Sequence, residues 1–200
     1  MRLFLTCFLA LLALINPISK IFFLVTLTKK GSGISIPKIS IQATAIALFI
    51  LLSFAILGNF ILSNLFHVDI YALKIVGGMV LLQRGFLALN KGVFFDVKSM
   101  KRLEEISIVP LSSPMIAGPA TIAAAVSFHT QFGVGITNLA IAAALLVNLF
   151  AMLLSRPINK ILSRFHLVGA LIRITGLIVA TIGAQMILGG IEEYIFVLKN

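Results

Sequence analysis

Two short stretches carry the polar chemistry of an otherwise apolar chain. The first is Asn16-Pro17-Ile18-Ser19-Lys20 and the second Gly118-Pro119-Ala120-Thr121, each inside an apolar run. A proline within a helix has no N–H to give, and its ring clashes with the carbonyl one turn back, here that of Ala13 for Pro17. Asn16, the residue before a proline, is pushed away from helical geometry too. In hydrocarbon an unmet backbone group costs several kcal/mol, so such a break persists only where protein or a water-filled cavity meets it. Aligning Pro17 with Pro119 also aligns Ser19 with Thr121, so Pro-x-hydroxyl occurs twice. This chemistry suits a small zwitterion. Helix N-terminal ends would face its carboxylate, and freed carbonyls its ammonium. Asn16, Pro17, Ser19, Gly118, Pro119 and Thr121 are therefore the candidate substrate-binding residues. Ordinary proline kinks, with hydroxyls bonding the preceding turn, are the competing reading. The duplication favours a site.

Three cations inside apolar segments, Lys20, Lys74 and Arg173, are candidates for a gate or counter-ion. Lys20 lies about three helical turns before Lys29 and has no acidic residue at its depth. Its long side chain is expected to snorkel to the headgroups. Lys74 and Arg173 stand one to two turns inside opposite faces, where helix-end anchoring is equally economical. Arg84 reads as an anchor near its helix end. Asn148 and Gln185 read as partners in interhelical hydrogen bonds.

The elements that must position these residues are membrane helices. The 200 residues are 60% hydrophobic and 11% charged, and the mean hydropathy is +1.15. That excludes an ordinary soluble domain. Six apolar segments are expected, at about 3–28, 41–66, 70–90, 106–128, 135–156 and 167–191. The expected fold is an all-α polytopic membrane protein whose first and fourth helices are interrupted. Its single domain comprises a first repeat at about 1–90, a charged loop at 91–105, a second repeat at 106–191 and a tail at 192–200. The connections at 29–40 and 157–166, with Pro37 and Pro157, read as loops. The first run continues to about Thr28 without a small-x-small cleavage site, so it reads as a retained helix.

The formal charge of +10 does not describe a nucleic-acid surface, because its distribution is that of a topology signal. Ten of the 16 Lys and Arg fall in three stretches: Lys29, Lys30 and Lys38; Lys91, Lys98, Lys101 and Arg102; Arg156, Lys160 and Arg164. These are the first, third and fifth loops of six crossings. That face is expected to be cytoplasmic and to meet anionic headgroups, with both termini outside. Three crossings per half insert the halves in opposite orientations. Leu73-Lys74-Ile75-Val76-Gly77 matches Ile172-Arg173-Ile174-Thr175-Gly176 at an offset of 99, close to the 102 between the prolines. Two inverted three-helix repeats are the expectation.

Asn16-Pro17, Leu73-Lys74-Ile75-Val76-Gly77-Gly78, Val109-Pro110-Leu111, Ile116-Ala117-Gly118-Pro119 and Arg173-Ile174-Thr175-Gly176-Leu177 together resemble the MarC/SnatA family along nearly the whole chain. The resemblance implies a six-helix inner-membrane protein of bacteria, some of whose members transport small neutral amino acids such as glycine and alanine. Where the family often shows Gly-Asn-Ile-Pro after Asn-Pro-Ile, this chain reads Ser19-Lys20-Ile21-Phe22. It loses a second break and gains a cation.

The six acidic residues all fall in loops or at segment ends, which leaves no mid-depth carboxylate to cycle a proton or hold sodium. Cys7 is the only cysteine, which excludes an internal disulfide and a cysteine-based metal site. No cofactor is implied. Neither a His-Glu-x-x-His nor a Gly-x-Ser-x-Gly motif is present, so the expectation is not an enzyme. The expected function is secondary transport or export of a small neutral solute between the broken first and fourth helices. The alternatives are a non-transporting structural or regulatory membrane protein and, with few polar residues to line it, a passive channel.

Overall fold

A computed structural model describes residues 1–29, 35–65, 67–93, 115–164 and 167–199. The Gly31-Ser32-Gly33 stretch, most of the charged stretch at 91–105 expected as a loop, and the 106–114 part of the expected fourth segment lie outside the described residues.

The described chain is all helix: α1 Arg2–Ile15, α2 Pro17–Lys29, α3 Ile36–Phe60, α4 Ile70–Lys91, α5 Pro119–Phe132, α6 Val134–Leu153, α7 Ser155–Arg164 and α8 Val168–Lys199. A π-helical turn, Ile61–Leu65, closes α3. Among the described residues five stretches are long and apolar enough to cross a membrane: Arg2–Thr28, Ile36–Leu65, Ile70–Lys91, Val134–Leu153 and Val168–Lys199. Large apolar side chains such as Phe49, Phe60, Leu139, Phe150 and Leu188 point outward. Small ones such as Ala43, Ala47, Ala123, Ala140 and Ala144 fill the interior. That inversion suits lipid as the solvent, where helices associate by close packing rather than by hiding apolar surface. The protein is a polytopic membrane protein.

Three segment limits differ from expectation. α3 starts at Ile36, with Pro37 in its first turn, because proline's missing N–H is one that the first turn cannot use. The region 157–166 is not a loop. α7 covers most of it, with Pro157 in its first turn. Finally, α8 runs through 192–199 as helix rather than as a tail, reaching about 48 Å at 1.5 Å per residue.

α4 and α8 share the most extensive contact and run antiparallel. Their glycines are spaced by two helical turns, Gly78 and Gly85 against Gly176, Gly183 and Gly190. A Cβ built on Gly78 would lie 2.6 Å from the Gly183 carbonyl oxygen, and one on Gly85 2.7 Å from that of Gly176. At one end Lys74 pairs with Glu193 at 2.8 Å, and the Tyr71 and Tyr194 rings meet with centroids 5.3 Å apart. The remaining helices pack α1 and α3 on α6, and α5 on both α3 and α4.

Candidate functional site

The first break sits halfway along its crossing, with about 21 Å of α1 before it and about 20 Å of α2 after it. Asn16 adopts a left-handed conformation, φ 52° and ψ 74°, which asparagine tolerates better than most side chains. Its N–H still donates to the Leu12 carbonyl at 2.9 Å, closing α1. Its side chain then opens α2. Asn16 Oδ1 accepts the Ser19 N–H at 3.3 Å, in the manner of an N-cap. The Ser19 hydroxyl donates to the Asn16 carbonyl at 2.7 Å. Pro17 is the first residue of α2, where it lacks only an N–H that would have had no helical partner.

The second break is simpler. Gly118 is extended, at φ −82° and ψ 168°, and Pro119 starts α5. Met115 and Ile116 just before it are helical. The Ile122 N–H donates to the Gly118 carbonyl at 2.9 Å. As at any helix start, the first amides of α5 are without partners inside the helix.

Both breaks line one cavity of about 80 Å³. Asn16, Ser19 and Lys20 contribute from the first break, and Gly118, Pro119 and Thr121 from the second. Leu14, Val80, Leu81, Met115 and Val179 form its apolar wall. The volume is several times what one water needs and well below that of a pocket for a drug-sized ligand. Pro17 does not line the cavity. It acts through the backbone geometry it imposes.

Lys20 does not snorkel. It is 2% exposed, lines the cavity, and donates from Nζ to the carbonyl of Ile15, the last residue of α1. That carbonyl lost its helical donor at the break, so a cation at this helix C-terminus meets both an orphan acceptor and the negative end of the dipole. Among the described residues no carboxylate pairs with it.

Arg84, expected as an anchor near its helix end, lies two turns inside α4 and lines the same cavity. The spacing held a signal for it. Gly77 and Arg84 are seven residues apart and so share a helix face, and Gly77 presses on the second break. A Cβ on Gly77 would lie 2.9 Å from the Ala120 Cα. Lys74 and Arg173, by contrast, stand away from the cavity, Lys74 bound to Glu193 and Arg173 exposed. Asn148 is buried and donates to Met152 Sδ at 3.2 Å along its own helix rather than to a neighbouring one.

The fold and the cavity define a class: an integral membrane protein of several apolar helices, in which two helix starts at prolines meet at one small, mostly apolar cavity. The model of the MarC family integral membrane protein matches residues 1–195, and the chain belongs to that family. It is 35% identical to a UPF0056 membrane protein of Pyrococcus horikoshii over 91% of this chain and 90% of that one. It is 30% identical to the UPF0056 membrane protein YvbG of Bacillus subtilis over 96% of each. A UPF0056 membrane protein of Methanocaldococcus jannaschii is also 30% identical, over 94% of this chain and 96% of its own. No solved structure matches the chain.

Proposed function

We propose that this protein is a secondary transporter or exporter, not an enzyme, and that its solute binds between the broken first and fourth helices. One three-helix half moves against the other to alternate access. The observation that carries this reading is that two proline breaks, 102 residues apart in sequence, line one cavity at mid-length of the helices.

The finer architecture we propose is six crossings in two inverted repeats. α5 alone is about 21 Å long, so the fourth crossing of a bilayer core of about 30 Å needs the residues before Gly118 as well. Exchanging the halves, with Pro17 set on Pro119, turns the packing of α2 on α6 into that of α5 on α3. It likewise turns α4 on α5 into α8 on α2, and all of these contacts occur. The antiparallel α4 and α8 would then be equivalent helices. The end of the bundle carrying Lys38, Lys91, Arg156, Lys160 and Arg164 would face the cytoplasm and its anionic lipids, as in a bacterial inner membrane, with both termini outside. Lys74 and Arg173, at opposite ends of the α4–α8 pair, would act on gating rather than as ligands.

The resemblance makes the small neutral amino acids glycine and alanine the first solutes to test. The experiment is counterflow in proteoliposomes with both solutes labelled. Exchange that saturates, and is lost in Asn16→Ala and Gly118→Leu, is the expected result. Unchanged exchange in both variants would reduce the breaks to incidental kinks. A non-saturating conductance would point to a channel, and no flux of any solute to a non-transporting role.

A further inference from the structure

Arg84 stands between two spaces. From α4 the central cavity takes Val80, Leu81 and Arg84. The next stretch of the same helix lines a second, open cavity of about 280 Å³ through Gln83, Arg84, Phe86, Leu87, Asn90 and Lys91. Among the described residues Arg84 alone lines both. The second cavity is thus a groove that follows α4 from the central one to the helix end at Lys91, about 10 Å further on at 1.5 Å per residue.

The lining of this groove is wrong for lipid chains. Gln83, Asn90 and Lys91 are exposed, and with Arg84 they bring two amides and two cations to it. Such groups are costly against hydrocarbon, and inside membrane proteins they line water-filled cavities and solute pathways. Water can therefore follow the groove inward from the headgroups as far as Arg84. That side chain is half-buried and already engaged by an interaction within the molecule, so it is held in place across the junction. The backbone beside it has no room to give. A Cβ on Gly85 would lie 2.6 Å from the Ala180 nitrogen and 2.7 Å from the Gly176 carbonyl oxygen, which fixes α4 against α8 at this level. Opening the junction is then first a movement of the Arg84 side chain, whose long stem changes rotamer without any shift of the helix.

Resting on the transport reading above, we infer that the groove along the end of α4 is the solute's way into the cavity and that Arg84 is the gate across it. With Arg84 held as it is here, the two spaces are closed from each other. Swung aside, it joins the cavity to the Lys91 end of the bundle.

The test is cysteine labelling of the full-length protein in proteoliposomes with the membrane-impermeant reagent 2-sulfonatoethyl methanethiosulfonate. Cys7, the only native cysteine, is first replaced by alanine. Asn90→Cys, in the groove, reports the vesicle face to which the groove opens. Thr121→Cys, at a cavity position 3% exposed, reports passage beyond Arg84. With Arg84 in place, Thr121→Cys is expected to react slowly from both faces. Arg84→Ala should speed that reaction about tenfold or more, and only from the face at which Asn90→Cys reacts. No acceleration, or equal acceleration from both faces, overturns the inference. Arg84→Gln is measured beside Arg84→Ala, with thermal unfolding of each as the folding control. A second measurement leaves Arg84 untouched: reagent coupled to Asn90→Cys should slow solute counterflow about tenfold or more, and undiminished exchange would equally overturn the inference. An unaltered protein that exchanges no solute sinks the transport reading alone, because labelling of Thr121→Cys needs no flux.

Discussion

Two interfaces meet on α4, and they solve opposite problems. Toward α8 the helix presents Gly78 and Gly85, and its backbone comes close enough for carbonyl oxygens to sit where a Cβ would be. Toward α5 it presents Gly77 against the start of a broken helix, with Arg84 two turns on beside a cavity. The first interface is made of continuous helices whose backbone bonds are all internal, so small residues alone can close it. The second contains two helix starts and one helix end, whose orphan groups call for polar side chains or a solute beside the close Gly77–Ala120 contact. Adjacent glycines thus serve a sealed seam and a close contact at the edge of a chamber. What separates the two is whether the facing backbone is whole.

Damage to the seam should therefore be structural, and larger than damage to the chamber. The clearest case is Gly183→Leu. A Cβ there lies 2.7 Å from the Gly78 carbonyl oxygen and 2.8 Å from the Leu82 nitrogen. Both are backbone atoms, so relief requires α4 and α8 to part along their length. A destabilisation of about 3 kcal/mol is expected, the upper end for overpacking. It should be visible as lost monodisperse protein in size-exclusion chromatography and as a lowered unfolding temperature. A Gly183→Leu protein that unfolds like the unaltered one would mean that the seam is loose and the contrast false.

The chamber is expected to answer to backbone conformation before side-chain identity. At φ 52° Asn16 sits where alanine is strained by about 1–2 kcal/mol. Losing the cap on the Ser19 N–H adds about 1 kcal/mol. Asn16→Ala should thus lose about 2–3 kcal/mol. Glycine adopts the left-handed conformation freely and substitutes for an asparagine cap at a cost of only a few tenths of a kcal/mol. Asn16→Gly should therefore unfold close to the unaltered protein in a denaturant titration. Equal losses in the two variants would show that the asparagine side chain, and not the left-handed turn, holds the break.

These two regions were unequally legible in the sequence. The breaks could be read because proline chemistry is local: Pro17 and Pro119 decide their own turns whatever surrounds them. That the two breaks share a cavity was the expectation from a duplicated pattern, and the coordinates bring Asn16, Ser19, Gly118 and Thr121 to one chamber. The fates of Lys20 and Arg84 could not be read in the same way. Whether a long cation reaches outward or inward depends on what its neighbours leave unpaired, and the Ile15 carbonyl is unpaired only once α1 has ended there. The same holds for α7. Arg156, Pro157, Lys160 and Arg164 read as a loop by composition, yet proline in a first turn is compatible with helix and the apolar Ile158 and Leu162 fall on one face. Glu193 looked like part of a tail because it is charged, but it is held in α8 by a partner, Lys74, 119 positions away.

That last pair gives the smallest expected effect, and it tests whether the seam is sealed by packing alone. Lys74 and Glu193 bond at 2.8 Å, but the carboxylate side chain is 41% exposed, so water and salt screen the attraction. Pairs of this kind are worth about 0.2–1 kcal/mol. A double-mutant cycle of Lys74→Met and Glu193→Gln, read by unfolding temperature, should give a coupling within that range, with most of the stability of the α4–α8 contact untouched. The glycine register at 78 and 183, and the Tyr71–Tyr194 contact beside the pair, would keep the helices together without the charge. If instead the coupling exceeded about 2 kcal/mol, above the range for an exposed pair, the pair would be acting as a latch on the seam. Lys74 would then have the gate role that its mirrored placement with Arg173 first assigned to it.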